Sequence, residues 1–291
     1  MTTKQFLAYL ELTKPRIALM VLVTAALGYY LGVAFTGEFP GWPSFIFAML
    51  GTGMAGAGAS TLNQYLERDV DALMERTRER PLPTGTLSPQ SALYFGVALA
   101  LAGCLLLLFL NNLLTAFLTL QSTFLYVLVY TPMKRLTWLN TSVGAIPGAM
   151  PPLIGWAAAT GTLDLGAWIL FAVLYIWQHP HFFAIAWMYR DDYERGGLKM
   201  LPVVKPDGKS MFMQVMSFSL VLIPVSVLPT VVGLSGWLYS AGALVLGLAM
   251  LASGAAFTWQ KTHGSAKRLL RISLIYLPML LLLVLADAAL L

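Results

Sequence analysis

Three oxygen-bearing side chains recur at four-residue intervals where the first long polar stretch of the chain begins: Asn63, Glu67 and Asp71. If the preceding apolar helix continues through this stretch, all three lie on one face of that helix. Carboxylate and amide oxygens suit a hard cation such as Mg²⁺, which completes its octahedral shell with water and substrate phosphate. The spacing therefore predicts a magnesium–phosphate site at the end of a helix.

Basic side chains follow these acids closely. Arg68 and Arg80 are placed to hold phosphate oxygens directly. The alternative interpretation is a solvated loop with intrahelical Glu–Arg pairs, which Glu75 and Glu79 fit well. That alternative explains less well why the acids begin directly after the small-residue run 51–60, since small residues allow close helix approach and leave room for a cavity. The spacing alone leaves both interpretations open.

A second acidic pair, Asp191 and Asp192, also follows an apolar helix. Two such clusters predict two metal-holding walls that face one cavity. Lys134 and Arg135, in a short loop between the clusters, add positive charge. A diphosphate bridged by Mg²⁺ is a ligand that uses both signs of charge together.

Two of the histidines, His179 and His181, lie within the apolar helix that precedes the second acidic pair. An ionisable group at membrane depth is costly, so each is a candidate functional residue. Residues two apart point in different directions on a helix, which argues against a zinc site. A buried histidine bonded to a neighbouring helix is the alternative for both. His263, in a basic loop, is expected to be structural or solvated.

The composition defines the class of protein. Of 291 residues, 58% are hydrophobic and only 11% are charged, and the mean hydropathy is +0.74. A soluble domain carries roughly 25% charged residues, so a soluble globule and a disordered chain are both excluded. A single cysteine excludes a disulfide scaffold. The net charge of +5 does not by itself indicate nucleic-acid binding, because its interpretation depends on where the charges lie along the chain. The remaining class is a polytopic protein of the lipid bilayer.

A membrane-spanning helix needs about 20 mainly apolar residues. The candidate spans are 17–36, 43–62, 89–110, 113–131, 138–159, 165–188, 211–232, 235–256 and 270–290. We therefore expect an all-α bundle of nine transmembrane helices around a central cavity open to the cytoplasmic side, as a single domain over 1–291. The prolines of 138–159 favour a cavity-lining helix over one that faces lipid.

With nine spans, all 18 lysines and arginines fall on one side of the membrane. The positive-inside rule then predicts a cytoplasmic N-terminus and an outside C-terminus. Most of the acids lie in long loops on the same side, so we expect the chemistry at the cytoplasmic face. No Arg-rich transit peptide is found, which favours a bacterial plasma (inner) membrane.

The Asn63, Glu67 and Asp71 spacing resembles the first Asn-x-x-x-Asp-x-x-x-Asp motif of the UbiA superfamily of intramembrane prenyltransferases. Glu67 stands where that family usually has aspartate, and the second acidic pair is adjacent where quinone-pathway members space it. Further stretches resemble the heme branch of this family and cover nearly the whole chain: 12–17, 69–77, 130–135, 144–156, 177–182 and 191–193.

The resemblance implies transfer of a farnesyl group from farnesyl diphosphate to the 2-vinyl group of heme b, assisted by Mg²⁺. It also implies a downstream heme-modifying enzyme or terminal oxidase as a partner. The residue roles that it implies are metal binding and catalysis for Asn63, Glu67, Asp71, Asp191 and Asp192; substrate binding for Arg68, Arg80, Lys134, Arg135 and Tyr130; and heme positioning or proton handling for His181.

Three alternatives remain at this point. A prenyltransferase with a quinone-precursor or chlorophyllide-type acceptor has no obvious need for the histidine segment. A transporter is expected to carry ionisable residues near the middle of several helices, whereas here nearly all charge lies at one boundary. A structural assembly factor leaves both acidic clusters unexplained.

Overall fold

The structure is a computed structural model that describes residues 2–290, with side chains described through residue 287. This part of the chain is helical and contains no β-strand. The helices up to residue 160 are α1 Thr3–Leu12, α2 Pro15–Thr36, α3 Trp42–Asp71, α4 Pro89–Leu110, α5 Leu113–Phe124, a π-helix Leu125–Tyr130, α6 Thr131–Met133 and α7 Asn140–Thr160. The later helices are α8 Leu165–Met188, α9 Arg190–Arg195, α10 Leu201–Val204, α11 Lys209–Val231, α12 Trp237–Gln260 and α13 His263–Leu290.

The expected all-α membrane fold is confirmed, but the predicted number of apolar spans is too high by one. Eight helices of the described chain are long and apolar enough to cross a membrane, with α5 continuing through the π-helix and α6 as one span. The chain is therefore a multi-pass membrane protein. The helix predicted over 138–159 forms as α7, but α7 is not among the eight. Its sequence is dominated by alanine, glycine and proline, which carry little apolar surface for lipid.

Helix α7 is instead buried against protein, which agrees with the prediction that it does not face lipid; the predicted cavity along it stays a prediction. Its residues from Ala149 to Ala158 are all buried, and its principal neighbour is α2. Pro151 has no N–H group to donate to the carbonyl of Pro147, and the Ser122 hydroxyl donates to that carbonyl at 3.3 Å. A neighbouring helix thus satisfies the backbone group that the proline releases.

The chain divides into two compact units. The first contains the residues up to Leu163 together with Asp191–Lys199, and the second contains Asp164–Arg190 and the chain from Met200 onward. In the first unit α3 packs on α4 and α2 packs on α7; in the second, α11 packs on both α8 and α12, and α13 packs on both as well. The expectation of a single domain over 1–291 stays a prediction.

The small-residue run in α3 brings this helix very close to α4. A Cβ atom at Gly58 would lie 2.5 Å from the Ala100 backbone nitrogen, and one at Gly103 would lie 2.5 Å from the Gly51 carbonyl oxygen. Only glycine permits backbones to approach in this way. The contact fixes α3 along its length and thereby positions the polar residues at its C-terminal end.

Candidate active site

The last turns of α3 carry the three predicted side chains into the protein interior. Asn63, Glu67 and Asp71 are 1%, 6% and 1% exposed, so all three lie on the buried face of one helix. The Asn63 side-chain amide donates to Glu67 Oε2 at 3.0 Å. The helix ends at Asp71, which leaves the three groups at the mouth of the polar loop.

Each carboxylate of this group meets a cation from another segment. Lys134 Nζ lies 2.8 Å from Glu67 Oε1 and 3.1 Å from Oε2. Arg80 Nη1 donates to Asp71 Oδ2 at 2.7 Å. Burial opposes the charge of Lys134, but the Glu67 carboxylate outweighs it and holds the pKa of Lys134 above its ordinary value. The structure therefore brings Arg80 and Lys134 to the acids, as the sequence predicted.

Lys14 is a third cation of the site and was not among the predicted residues. Its Nζ donates to Asn63 Oδ1 at 2.9 Å. Burial, together with the positive charges of Arg80 and Lys134, lowers the pKa of Lys14 to about 7. Its backbone is left-handed, with φ 50°, directly before Pro15. A non-glycine residue there costs on the order of 1–3 kcal/mol, and such strain is concentrated at functional sites. The sequence feature that could have pointed to Lys14 is the Lys-Pro pair at the start of the first membrane span.

A π-helix supports Asn63 from the opposite side. Thr131 Oγ1 accepts a hydrogen bond from Asn63 Nδ2 at 3.0 Å and donates its own proton to the Tyr126 carbonyl at 2.8 Å. The widened π turn places Thr131 here, and such turns are frequent at functional sites. Tyr130, in the same segment, presents its ring to Lys134 Nζ at 4.7 Å. The Asn63 amide is thus oriented by Thr131, Glu67 and Lys14.

The second polar loop contacts the first. Its segment Asp191–Lys199 belongs to the same compact unit as α3. Asp192 is buried, and its Oδ1 accepts hydrogen bonds from the Glu75 backbone amide at 3.0 Å and from the Arg195 guanidinium. Burial opposes its ionisation, but these donors outweigh burial and hold the pKa of Asp192 below its usual range. Asp191 is exposed. Asp192 therefore joins the two predicted acidic loops.

The donor set at the end of α3 fits a magnesium ion. Glu67 Oε1 and Asp71 Oδ1 are buried and accept no hydrogen bond within the described chain, although Oε1 lies in the ion pair with Lys134. Such unsatisfied carboxylate oxygens are costly unless a ligand uses them. In the same part of the chain, no three His, Cys, Asp or Glu side chains form a preassembled metal cluster. Asn63, water and substrate phosphate would have to complete the shell.

Three predicted residues lie away from this group or in the other unit. Arg68 is exposed and donates to the Tyr65 carbonyl at 2.7 Å, because it is one residue beyond Glu67 on the helix. Arg135 forms an exposed ion pair with Asp69 at 2.7 Å. His181 belongs to the second unit. The structure thus assembles Asn63, Glu67, Asp71, Arg80, Lys134 and Tyr130, and adds Lys14 and Thr131.

Comparison with known proteins agrees with this arrangement. The sequence model of the UbiA prenyltransferase family matches residues 21–277, so the chain belongs to that family. The chain is 46% identical over 288 residues to the protoheme IX farnesyltransferase of Solibacter usitatus (strain Ellin6076), with 96% of this chain and 98% of that protein covered.

Two solved structures share the fold. That of a digeranylgeranylglyceryl phosphate synthase superposes with a TM-score of 0.82 at 17% identity and covers 99% of this chain and 100% of its own. A UbiA homolog from Archaeoglobus fulgidus bound to DMAPP and Mg²⁺ superposes with a TM-score of 0.66 at 16% identity, covering 95% of this chain and 98% of its own. The expected family and fold are confirmed.

Proposed function

We propose that this protein transfers a farnesyl group from farnesyl diphosphate to the 2-vinyl group of heme b and so forms heme O. The observation that carries the proposal is the group of two buried carboxylates and three cations at the end of α3. The acceptor is supported by the 46% identical relative, which is named as a protoheme IX farnesyltransferase.

The acids and the cations have different roles in binding the diphosphate. Asn63, Glu67 and Asp71 would hold Mg²⁺, which supplies positive charge to the leaving group. Lys14, Arg80 and Lys134 bind the diphosphate oxygens and stabilise the negative charge that grows as the allylic C–O bond breaks. The electron pair of that bond leaves with the diphosphate.

The allylic cation needs a dry environment until the heme vinyl carbon attacks it. The heme vinyl carbon attacks the allylic cation, water adds to the cation formed on the former vinyl group, and loss of a proton leaves a hydroxyl group. The ring of Tyr130, already in contact with a cation, is suited to stabilise the allylic cation. Exclusion of water until attack is complete prevents hydrolysis of the cation.

The main role proposed for the second polar loop is to hold the first polar loop in place. Asp192 holds the Glu75 amide, whereas the exposed Asp191 is the member of the pair that we assign to a second magnesium ion. His181 is assigned to the heme acceptor. The proposed setting is a bacterial plasma (inner) membrane, with the N-terminus in the cytoplasm, the C-terminus outside and the product passed to a heme-modifying enzyme or terminal oxidase. This topology requires the buried helix α7 to cross the membrane together with the eight apolar spans, for nine crossings in all.

The decisive experiment is extraction of hemes from membranes that contain the natural chain or Asp71→Asn. We expect the natural chain to produce a more hydrophobic heme, and the variant to insert normally and produce none, because it loses a carboxylate at the diphosphate. Asp69→Asn is the matched control: Asp69 lies on the same helix but is exposed and paired with Arg135. A fully active Asp71→Asn would refute the metal assignment, and a prenylated quinone precursor in place of the new heme would refute the acceptor.

A further inference from the structure

His181 lies in the second unit with one ring nitrogen held by a serine. Its Nδ1 is 2.8 Å from Ser273 Oγ, and Ser273 Oγ donates to the Leu270 carbonyl at 2.7 Å. A serine hydroxyl has a single proton, which here is given to Leu270, so Ser273 accepts from an Nδ1–H group. The neutral ring therefore carries its lone pair on Nε2.

Trp177 fixes the plane of the same ring. The indole stacks on the imidazole, with centroids 4.9 Å apart and planes inclined by 25°. Its Nε1–H donates to the Ser273 backbone carbonyl at 3.0 Å. Ser273 is fully buried and thus accepts from both rings, through its hydroxyl and its carbonyl. This arrangement sets the tautomer and orientation of one imidazole.

Among the residues that the structure describes, no hydrogen-bond partner of the Nε2 atom accounts for that arrangement. No hydrogen bond to it is formed within residues 2–287, and the His181 side chain is only half-buried. His181 lies seven residues before the end of α8, about 10 Å along the helix. An imidazole nitrogen without a partner at this depth of a membrane helix is costly, so the geometry calls for a ligand.

His179 shows the contrasting case of a structural histidine. Its ring is completely buried, its Nδ1 lies 2.8 Å from the Tyr175 carbonyl oxygen, and one face stacks on Phe218 with centroids 3.7 Å apart. That ring is enclosed by packing, whereas His181 keeps an accessible edge. The two neighbouring histidines therefore have different roles.

We propose that His181 Nε2 binds the iron of the heme acceptor as an axial ligand, an inference that rests on the proposed function. Haem iron is commonly held by a histidine, and metal-binding histidines almost always donate their other ring N–H to an oxygen acceptor. Ser273 is that acceptor here. Ligation fixes the iron at one distance from α8 and so orients the edge of the macrocycle that carries the vinyl groups.

The test is a titration of the full chain in lipid nanodiscs with heme b and, in parallel, with metal-free protoporphyrin IX. We expect a histidine-ligated heme spectrum that His181→Ala abolishes, together with weaker binding of heme. Protoporphyrin IX should bind equally to both proteins, and added imidazole should restore the spectrum. His263→Ala, a change in the exposed histidine at the start of α13, is the matched control and should leave the spectrum unaltered.

Ser273→Ala provides a second test should His181→Ala fail to fold. It leaves the ring in place but removes the acceptor at Nδ1, so the ligand becomes less basic and the spectrum should shift. An unchanged spectrum in either variant overturns the axial-ligand inference. A natural chain that binds neither heme nor protoporphyrin, yet binds farnesyl diphosphate, overturns the heme acceptor itself. The two failures are therefore distinguishable.

Discussion

At the scale of single residues, the site is a set of buried charges that neutralise one another. Glu67 and Lys134 are both largely enclosed, with side chains 8% and 15% exposed. Removing one member of such a pair leaves the other charge buried and uncompensated, which is far more damaging than replacing both. Comparing variants that lack one member of the pair with a variant that lacks both can therefore separate the effect on stability from the effect on activity.

We expect Lys134→Met to lower the stability by about 3 kcal/mol and to abolish prenyl transfer. The double variant Lys134→Met/Glu67→Gln should recover most of that stability and still be inactive, because the diphosphate has lost a cation and the metal a carboxylate. Thermal unfolding in detergent, compared with product formation, measures both. A double variant as unstable as the single one would show that the ion pair does not account for the loss.

Thr131 tests the orientation of Asn63. Thr131→Val keeps the shape but removes the hydroxyl that accepts from Asn63 Nδ2. We expect the Mg²⁺ concentration for half-maximal activity to rise about 10–100-fold, as for other changes behind a metal ligand, with Mn²⁺ binding followed by EPR weakened in parallel. Thr131→Ser should restore both. Thr119→Val, which removes a buried hydroxyl that has no partner in the described chain, is the control.

At the scale of helices, close packing determines where these residues lie. A Cβ atom at Gly155 would stand 1.8 Å from the Ala25 carbonyl oxygen, and one at Gly28 would stand 2.0 Å from the Pro152 carbonyl oxygen. Both obstacles are backbone atoms, so α2 and α7 would have to separate. Since α2 starts directly after Lys14, that movement would displace a cation of the site.

We therefore expect Gly155→Ala to destabilise the protein by at least about 1–3 kcal/mol and to reduce activity. Gly56→Ala is the matched control, since a Cβ atom there meets nothing within 4 Å. The measurement is the thermal midpoint of each purified variant together with its turnover. Equal midpoints for the two variants would contradict the close contact of α2 with α7.

The sequence predicted the parts of the site that depend on local spacing. Positions 63, 67 and 71 share a face on any helix, and the apolar runs require membrane helices. Lys14 and Thr131 were missed because they reach Asn63 from 49 and 68 residues away, the first through a left-handed backbone and the second through a π turn. Helical spacing indicates neither feature. The apolar spans follow from composition alone, whereas the helix that covers α7, which is mainly α2, does not follow from spacing or composition.

At the scale of the whole molecule, the distribution of charge makes the membrane orientation testable. Cys104 is the only cysteine, so a cysteine-free chain needs one substitution. Single cysteines at the exposed positions of Glu38 and Glu79 can then be labelled with a membrane-impermeant reagent in intact cells. We expect label at position 38 but not at 79, because the basic loops stay inside. The reverse pattern would contradict the proposed topology.

The hydrogen bond from Glu75 to Asp192 joins residues 117 positions apart in the chain. The ribosome has therefore made the acids of α3 and the whole first polar loop long before it makes the carboxylate that anchors that loop. During this interval of synthesis, the Glu75 amide is left to water. A nascent chain that stops before residue 192 would bear the first acidic motif without its later anchor, so the first polar loop is anchored only after residue 192 of 291 has been added.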